Sequence, residues 1–143
     1  MTSVATTSEL RTLIVEDHKA FLEFVCSTVR ERPNTTVVGA VQDGLEAVDA
    51  AANLQPDLIL LDIGLPGLNG LEAARRIRGL APEARIIFLT QETAPEIVHE
   101  AMGAGASAYV LKARCHCDLE NAIQAVLQGR RFISAGLDGQ ASY

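Results

Sequence analysis

Apolar residues along this chain recur with two alternating periods. Leu13-Ile14-Val15 is a short β-branched run, and from His18 to Arg32 the residues Phe21, Leu22, Val25, Cys26 and Val29 return at helical spacing until Pro33 ends them. The pair then repeats. Val37 to Val41 predicts a second strand, and after the Asp43-Gly44 turn Leu45, Val48, Ala51, Ala52 and Leu54 mark a second helix. Leu58 to Leu61 predicts a third strand, followed by a loop punctuated by Pro66, Gly67 and Gly70 and a helix over Leu71 to Ile77. Arg85 to Thr90 is the fourth strand, with Pro95 opening a helix that runs to about Met102. Ala108 to Leu111 is the fifth, and the last helix spans about Asp118 to Gln128, with Gly129 and a short tail beyond.

Five strands alternating with five helices predict an α/β domain with a mainly parallel sheet. Right-handed crossovers place helices on both of its faces, which is a doubly wound arrangement. The strands read as continuous apolar runs, as strands buried on both faces do.

The run Leu58 to Leu61 ends in Asp62 and a loop, Ile63 to Gly70. A carboxylate at the end of a buried strand is poorly hydrated, so its charge is either used or neutralised. Asp62 is therefore the candidate reactive group, with a turn cap as the alternative. In an open parallel sheet, ligands bind outside the carboxyl ends of the strands. The first strand delivers Glu16 and Asp17 there, the third Asp62, the fourth Thr90 and the fifth Lys112. Three converging carboxylates repel, and a divalent cation, a lysine or protonation relieves them. Oxygen-only ligands suit Mg²⁺, and a metal, a lysine and a hydroxyl around one spare carboxylate make a phosphoryl-transfer site.

Length and charge narrow the picture. At 143 residues, 48% of them hydrophobic, the chain fits one domain with a sizeable core, and no apolar run approaches the length that crosses a bilayer. The formal charge of −6 argues against nucleic-acid binding by this chain's own surface. Met1 to Ser8 has neither the basic start nor the apolar middle of a signal peptide. Residues 1–9 read as a disordered leader, 10–134 as the folded domain and 135–143 as a tail or the start of a linker, in a cytoplasmic protein. Three cysteines point to thiols rather than disulfides, with Cys26 as a core residue. Cys115-His116-Cys117 lacks a second ligand pair at zinc spacing and reads as a helix start, as does His18 beside the acidic pair.

The order of Glu16 and Asp17, Asp62 with Leu65-Pro66-Gly67 and Asn69-Gly70, Thr90, and Lys112 resembles the response-regulator receiver domains of two-component signalling, from Arg11 to Ser134. The resemblance implies a flavodoxin-like (βα)5 fold with strand order 2-1-3-4-5. It implies that Asp62 accepts a phosphoryl group from a sensor histidine kinase. Mg²⁺ would be held by Asp17, Asp62, the Gly64 carbonyl and, through water, Glu16. Lys112 would pair with the phosphoryl group, Thr90 would bond it, and Tyr109 would be the aromatic switch. Gln91 and Glu92 would influence its loss to water. The surface from Pro95 to Gly129, helix four to helix five, would contact an output domain or pair in a homodimer. Two departures stand out, Glu16 where many receivers carry Asp and Ala113 where many carry a cis proline. Val126 to Ser134 resembles the end of receivers that precede a LuxR-type helix-turn-helix domain, so the chain is expected to be either part of a transcription regulator whose output lies in a DNA-binding domain absent from it, or a stand-alone receiver. Two rivals remain at this level. One is an interaction module that works without phosphorylation, and the other a phosphohydrolase using an aspartyl phosphate. The latter commonly carries a second acid two residues after the nucleophile, where this chain has Gly64.

Overall fold

In the computed structural model, residues 9–137 are described. Most of the leader expected over 1–9, and the part of the tail from 138 on, lie outside the described residues. The first strand, β1, spans Leu10–Val15 and is followed by α1 (Lys19–Arg30), β2 (Thr35–Val41), α2 (Gly44–Leu54) and β3 (Leu58–Leu61). Then come α3 (Gly70–Leu80), β4 (Arg85–Thr90), α4 (Pro95–Gly103), β5 (Ala108–Leu111), a 3₁₀ turn over Lys112–Arg114, α5 (Cys115–Leu127) and β6 (Phe132–Ile133).

All strand pairs are parallel and the order is β2-β1-β3-β4-β5-β6. The first five follow the expected flavodoxin-like order. The sixth extends the sheet beyond the five strands predicted, over two residues that sequence periodicity does not distinguish from a tail.

Alternation along each strand sorts the core into two layers. Leu13, Val15, Ile59, Leu61, Ile86 and Phe88 face one layer with Ala47, Ala51, Ala73 and Ile77 of α2 and α3. Ile14, Leu58, Leu60, Ile87 and Leu89 face the other, with Leu22, Val25, Leu119 and Ile123 of α1 and α5. Strands β3 and β4 sit between both layers and are almost wholly buried, whereas β2, at the edge, is only half-buried. Cys26 and Cys115 are buried and Cys117 exposed, all three as free thiols. Burial pushes the Cys26 and Cys115 thiols up from their ordinary range. Cys115-His116-Cys117 forms the first turn of α5, as the helix-start reading expects.

Two glycines set the shape of the loop between β3 and α3. The Gly70 N–H donates to the Ile63 carbonyl at 2.7 Å and the Gly44 N–H to the Pro66 carbonyl at 3.2 Å. A Cβ at Gly70 would lie 2.0 Å from the Asp62 carbonyl oxygen, and one at Gly44 1.8 Å from that of Leu68. Only a residue without a side chain lets the helix starts close onto this loop. Asp43 and Asn69 then cap α2 and α3, accepting from Glu46 N–H at 2.8 Å and Glu72 N–H at 3.0 Å.

Gly70→Ala is expected to destabilise the fold by about 1–3 kcal/mol through overpacking. By contrast Gly79→Ala, at an exposed helical position with nothing within 4 Å, is expected to stabilise it by about 0.5–1 kcal/mol. Urea denaturation of the two variants against the parent chain checks the opposite signs.

Candidate functional site

Parallel pairing puts every strand's carboxyl end at one edge of the sheet, and the register aligns those ends. Val15 pairs with Leu61, Leu61 with Phe88, and Thr90 with Leu111. The residues that follow, Glu16, Asp17, Asp62 and Lys112, therefore gather in one crevice.

Lys112 is its electrostatic centre. Its Nζ lies 2.8 Å from Glu16 Oε1 and 3.1 Å from Asp62 Oδ2. Glu16 Oε2 accepts from the same ammonium at 3.0 Å and from the His18 N–H at 3.0 Å. Asp62 Oδ1 accepts from the Ile63 N–H at 2.7 Å. Glu16 and Asp62 are only 3% and 6% exposed, while Asp17 is open to solvent. The Lys112 Nζ also sits 4.8 Å above the centre of the Phe21 ring, a cation–π contact that favours the charged amine.

Burial dominates at Glu16 and raises its pKa, as does the field of Asp62; the Lys112 and His18 hydrogen bonds offset only part of this. At Lys112 burial alone would lower the pKa. The hydrogen bonds and charges of Glu16 and Asp62 together outweigh it and raise the pKa. The lysine is thus held as an ammonium by the carboxylates it neutralises.

Glu16, Asp17 and Asp62 each offer a carboxylate oxygen, and these oxygens lie within 4.8 Å of one another. The donor set is all oxygen, which fits a hard divalent cation such as Mg²⁺. Gly64, two residues after Asp62, lies exposed in the same loop. Among the described residues no other group of three acids, histidines or cysteines is close enough to hold a metal, Cys115-His116-Cys117 included. His18 enters the site through its backbone N–H.

Thr90 ends β4 and is buried, and its hydroxyl accepts a long 3.4 Å bond from the Glu92 N–H. Tyr109 is fully buried on β5; its hydroxyl donates to the Glu92 carbonyl at 2.8 Å, and its ring lies 6.3 Å from that of Phe88. Glu92 therefore links the two residues expected to form the switch. Among the described residues every peptide bond is trans, so Lys112-Ala113 enters the 3₁₀ turn without the cis geometry common where proline follows this lysine. Phe21 was read from the sequence only as a core position of α1. Its place under Lys112 carries no local signal, because the contact joins opposite ends of the chain.

The chain as a whole is similar to known proteins. A family model for the response regulator receiver domain matches residues 12–124. The chain is 34% identical over 125 residues to the nitrate/nitrite response regulator protein NarL of Escherichia coli (strain K12), covering 87% of this chain and 58% of that protein. It is 30% identical over 131 residues to the transcriptional regulatory protein LiaR of Bacillus subtilis (strain 168), covering 92% and 62%. The chain spans about three fifths of these relatives' length. A crystal structure of a two-component response regulator of the LuxR family from Aurantimonas sp. SI85-9A1 superposes with a TM-score of 0.87 at 34% identity, covering 93% of this chain and 95% of that one.

Lys112→Met leaves two buried carboxylates without their cation, and is expected to cost about 3–5 kcal/mol at pH 8. The raised pKa of Glu16 rises further in this variant, so protonation relieves the penalty as the pH falls. Denaturation at pH 8 and pH 5 should show a larger deficit at pH 8; an equal deficit would mean that Lys112 does not hold Glu16 ionised.

Proposed function

The chain belongs to the response regulator receiver family, and from that premise we propose that it is a signalling switch phosphorylated on Asp62 by a sensor histidine kinase. The observation that supports this most is the Lys112 ammonium shared by Glu16 and Asp62, with Asp17 alongside. An Asp62 carboxylate oxygen attacks phosphorus, the P–N bond of the kinase phosphohistidine breaks, and the imidazole nitrogen keeps the bonding pair. Lys112 follows the negative charge onto the phosphoryl oxygens. The Ile63 N–H holds Asp62 Oδ1, which orients the carboxylate for attack.

Asp17 and Asp62 would hold Mg²⁺ directly, Glu16 through water, and Gly64 through its carbonyl. When bound, the metal supplies charge neutralisation at the phosphoryl oxygens. Thr90 donates its hydroxyl to the phosphoryl group, Tyr109 follows through Glu92, and the surface of α4, β5 and α5 carries the change outward. That surface would pair two copies of the chain or contact an output domain. The receiver unit spans 10–134, and the relatives extend beyond the part this chain matches. Transcriptional output is in keeping with the name of LiaR, a transcriptional regulatory protein, and this chain's net charge of −6 leaves DNA binding to a separate domain; we place the protein in the cytoplasm. No helix among the described residues is long and apolar enough to cross a membrane. The domain acts on its own Asp62 rather than turning over a substrate, and Gly64 stands where a phosphohydrolase would carry its second acid.

Intact mass after acetyl phosphate with Mg²⁺ tests this. The wild type is expected to gain one phosphoryl group, and Asp62→Asn none. Sustained turnover of phosphomonoesters that disappears in Asp62→Asn would overturn the reading in favour of a phosphohydrolase. No Mg²⁺-dependent gain in the wild type would favour an interaction module.

A further inference from the structure

The segment after α5 carries a buried polar network that phosphoryl transfer does not use. Ser134, at the end of β6, is fully buried. Its hydroxyl donates to Asp118 Oδ2 at 2.8 Å and accepts from the Leu111 N–H at 3.0 Å, and its own N–H donates to the Tyr109 carbonyl at 2.9 Å. Asp118 is 5% exposed, in the first turn of α5, and its Oδ2 also accepts from Arg114 Nε at 2.9 Å. Arg114 closes the 3₁₀ turn that Lys112 opens. Three residues on, the Leu137 N–H donates to the Ser134 carbonyl, and the Leu137 side chain, 4% exposed, joins the core layer that contains Tyr109. The network is closed: from Lys112 through Arg114, Asp118 and Ser134 it returns to Leu111, the residue before Lys112.

We infer that this clasp couples the state of Asp62 to β6 and the turn that follows it, Phe132 to Leu137, an inference that rests on Asp62 being the phosphoacceptor. Lys112 is the cation shared by Glu16 and Asp62. Phosphorylation replaces the single charge of the Asp62 carboxylate with a phosphoryl group carrying about two, so about one further negative charge comes to rest beside Lys112 and pulls on the backbone at Leu111 and Lys112. The bonds around the Ser134 hydroxyl already have near-ideal lengths, so a displacement of Leu111 stretches, compresses or bends its bond away from the optimum. One hydroxyl serves both Leu111 and Asp118 and holds both only in the present arrangement. Beyond it, β6 has only two residues of ladder. Loosening the clasp therefore releases β6 and the turn through Leu137 from the sheet. Arg114, Asp118 and Ser134 are positioning residues in this scheme.

Coupling between two sites is reciprocal, so opening the clasp by mutation must strengthen binding at Asp62. Beryllofluoride with Mg²⁺, a stand-in for the phosphoryl group, is titrated onto the full 143-residue chain as wild type, Ser134→Ala, Asp118→Asn and Ile77→Val. Ser134→Ala and Asp118→Asn are expected to bind it about five-fold tighter, the lower end of common coupling strengths. In the wild type, beryllofluoride is expected to raise hydrogen exchange at residues 132–137 several-fold. Ile77→Val, a core change in α3, controls for lost stability and should leave the affinity unchanged. If the clasp variants melt earlier yet bind beryllofluoride as the wild type does, and exchange at 132–137 ignores the ligand, the clasp is structural only and the inference falls. If the wild type binds no beryllofluoride in the presence of Mg²⁺, the Asp62 reading falls and takes the clasp with it.

Discussion

The structure depends on one partly buried ammonium. Glu16 and Asp62 are almost fully removed from water at the ends of adjacent strands, and two such carboxylates side by side would be costly without a counter-charge. Lys112 supplies it, reaching both from the end of β5, 96 and 50 positions away in the chain. Its ammonium lies over the Phe21 ring, so the apolar layer under α1 and the polar crevice meet at one side chain. The sheet can therefore keep acids at its edge in a state that is paired, oriented and sensitive to any added negative charge.

The constraint on that crevice is geometric as much as electrostatic. Parallel pairing brings the strand ends level, and alternation along each strand supplies two apolar layers that hold the sheet rigid. The loop after Asp62 is folded tightly against the starts of α2 and α3, and glycine stands where backbone meets backbone. Rigid strands below and a closely packed loop above leave the carboxylate little freedom, which suits the phosphoacceptor role proposed for it. The more adaptable parts lie to one side, in the Glu92 loop held by Thr90 and Tyr109 and in the short strand held by Ser134.

Much of this is legible in the chain. The strands and helices announce themselves by period, and Asp62, Lys112 and the acidic pair each stand directly after an apolar run, a local signal that places them at one edge once the sheet is known to be parallel. The element ends are less legible. The helix α5 begins at Cys115, three residues before the position read from its apolar pattern, because its first turn is polar and mixed. The strand β6 was invisible, since two residues carry no period and only pairing with β5 defines them. Ser134 and Asp118 read as an ordinary tail residue and a helix-start acid. Their bond spans 16 positions, and the one from Leu111 to Ser134 spans 23.

What the sequence determined by itself is the alternation of elements, the doubly buried strands and the set of chemical groups delivered to the strand ends, because these follow from local periodicity and from where apolar runs stop. What only the tertiary structure decided is which groups share a charge or a hydrogen bond: Lys112 between Glu16 and Asp62 above Phe21, Tyr109 on Glu92, and Ser134 between Leu111 and Asp118. Such partnerships depend on distances of about 3 Å between residues far apart in the chain. Folding alone sets those distances, because packing of the two core layers fixes where each strand end comes to rest.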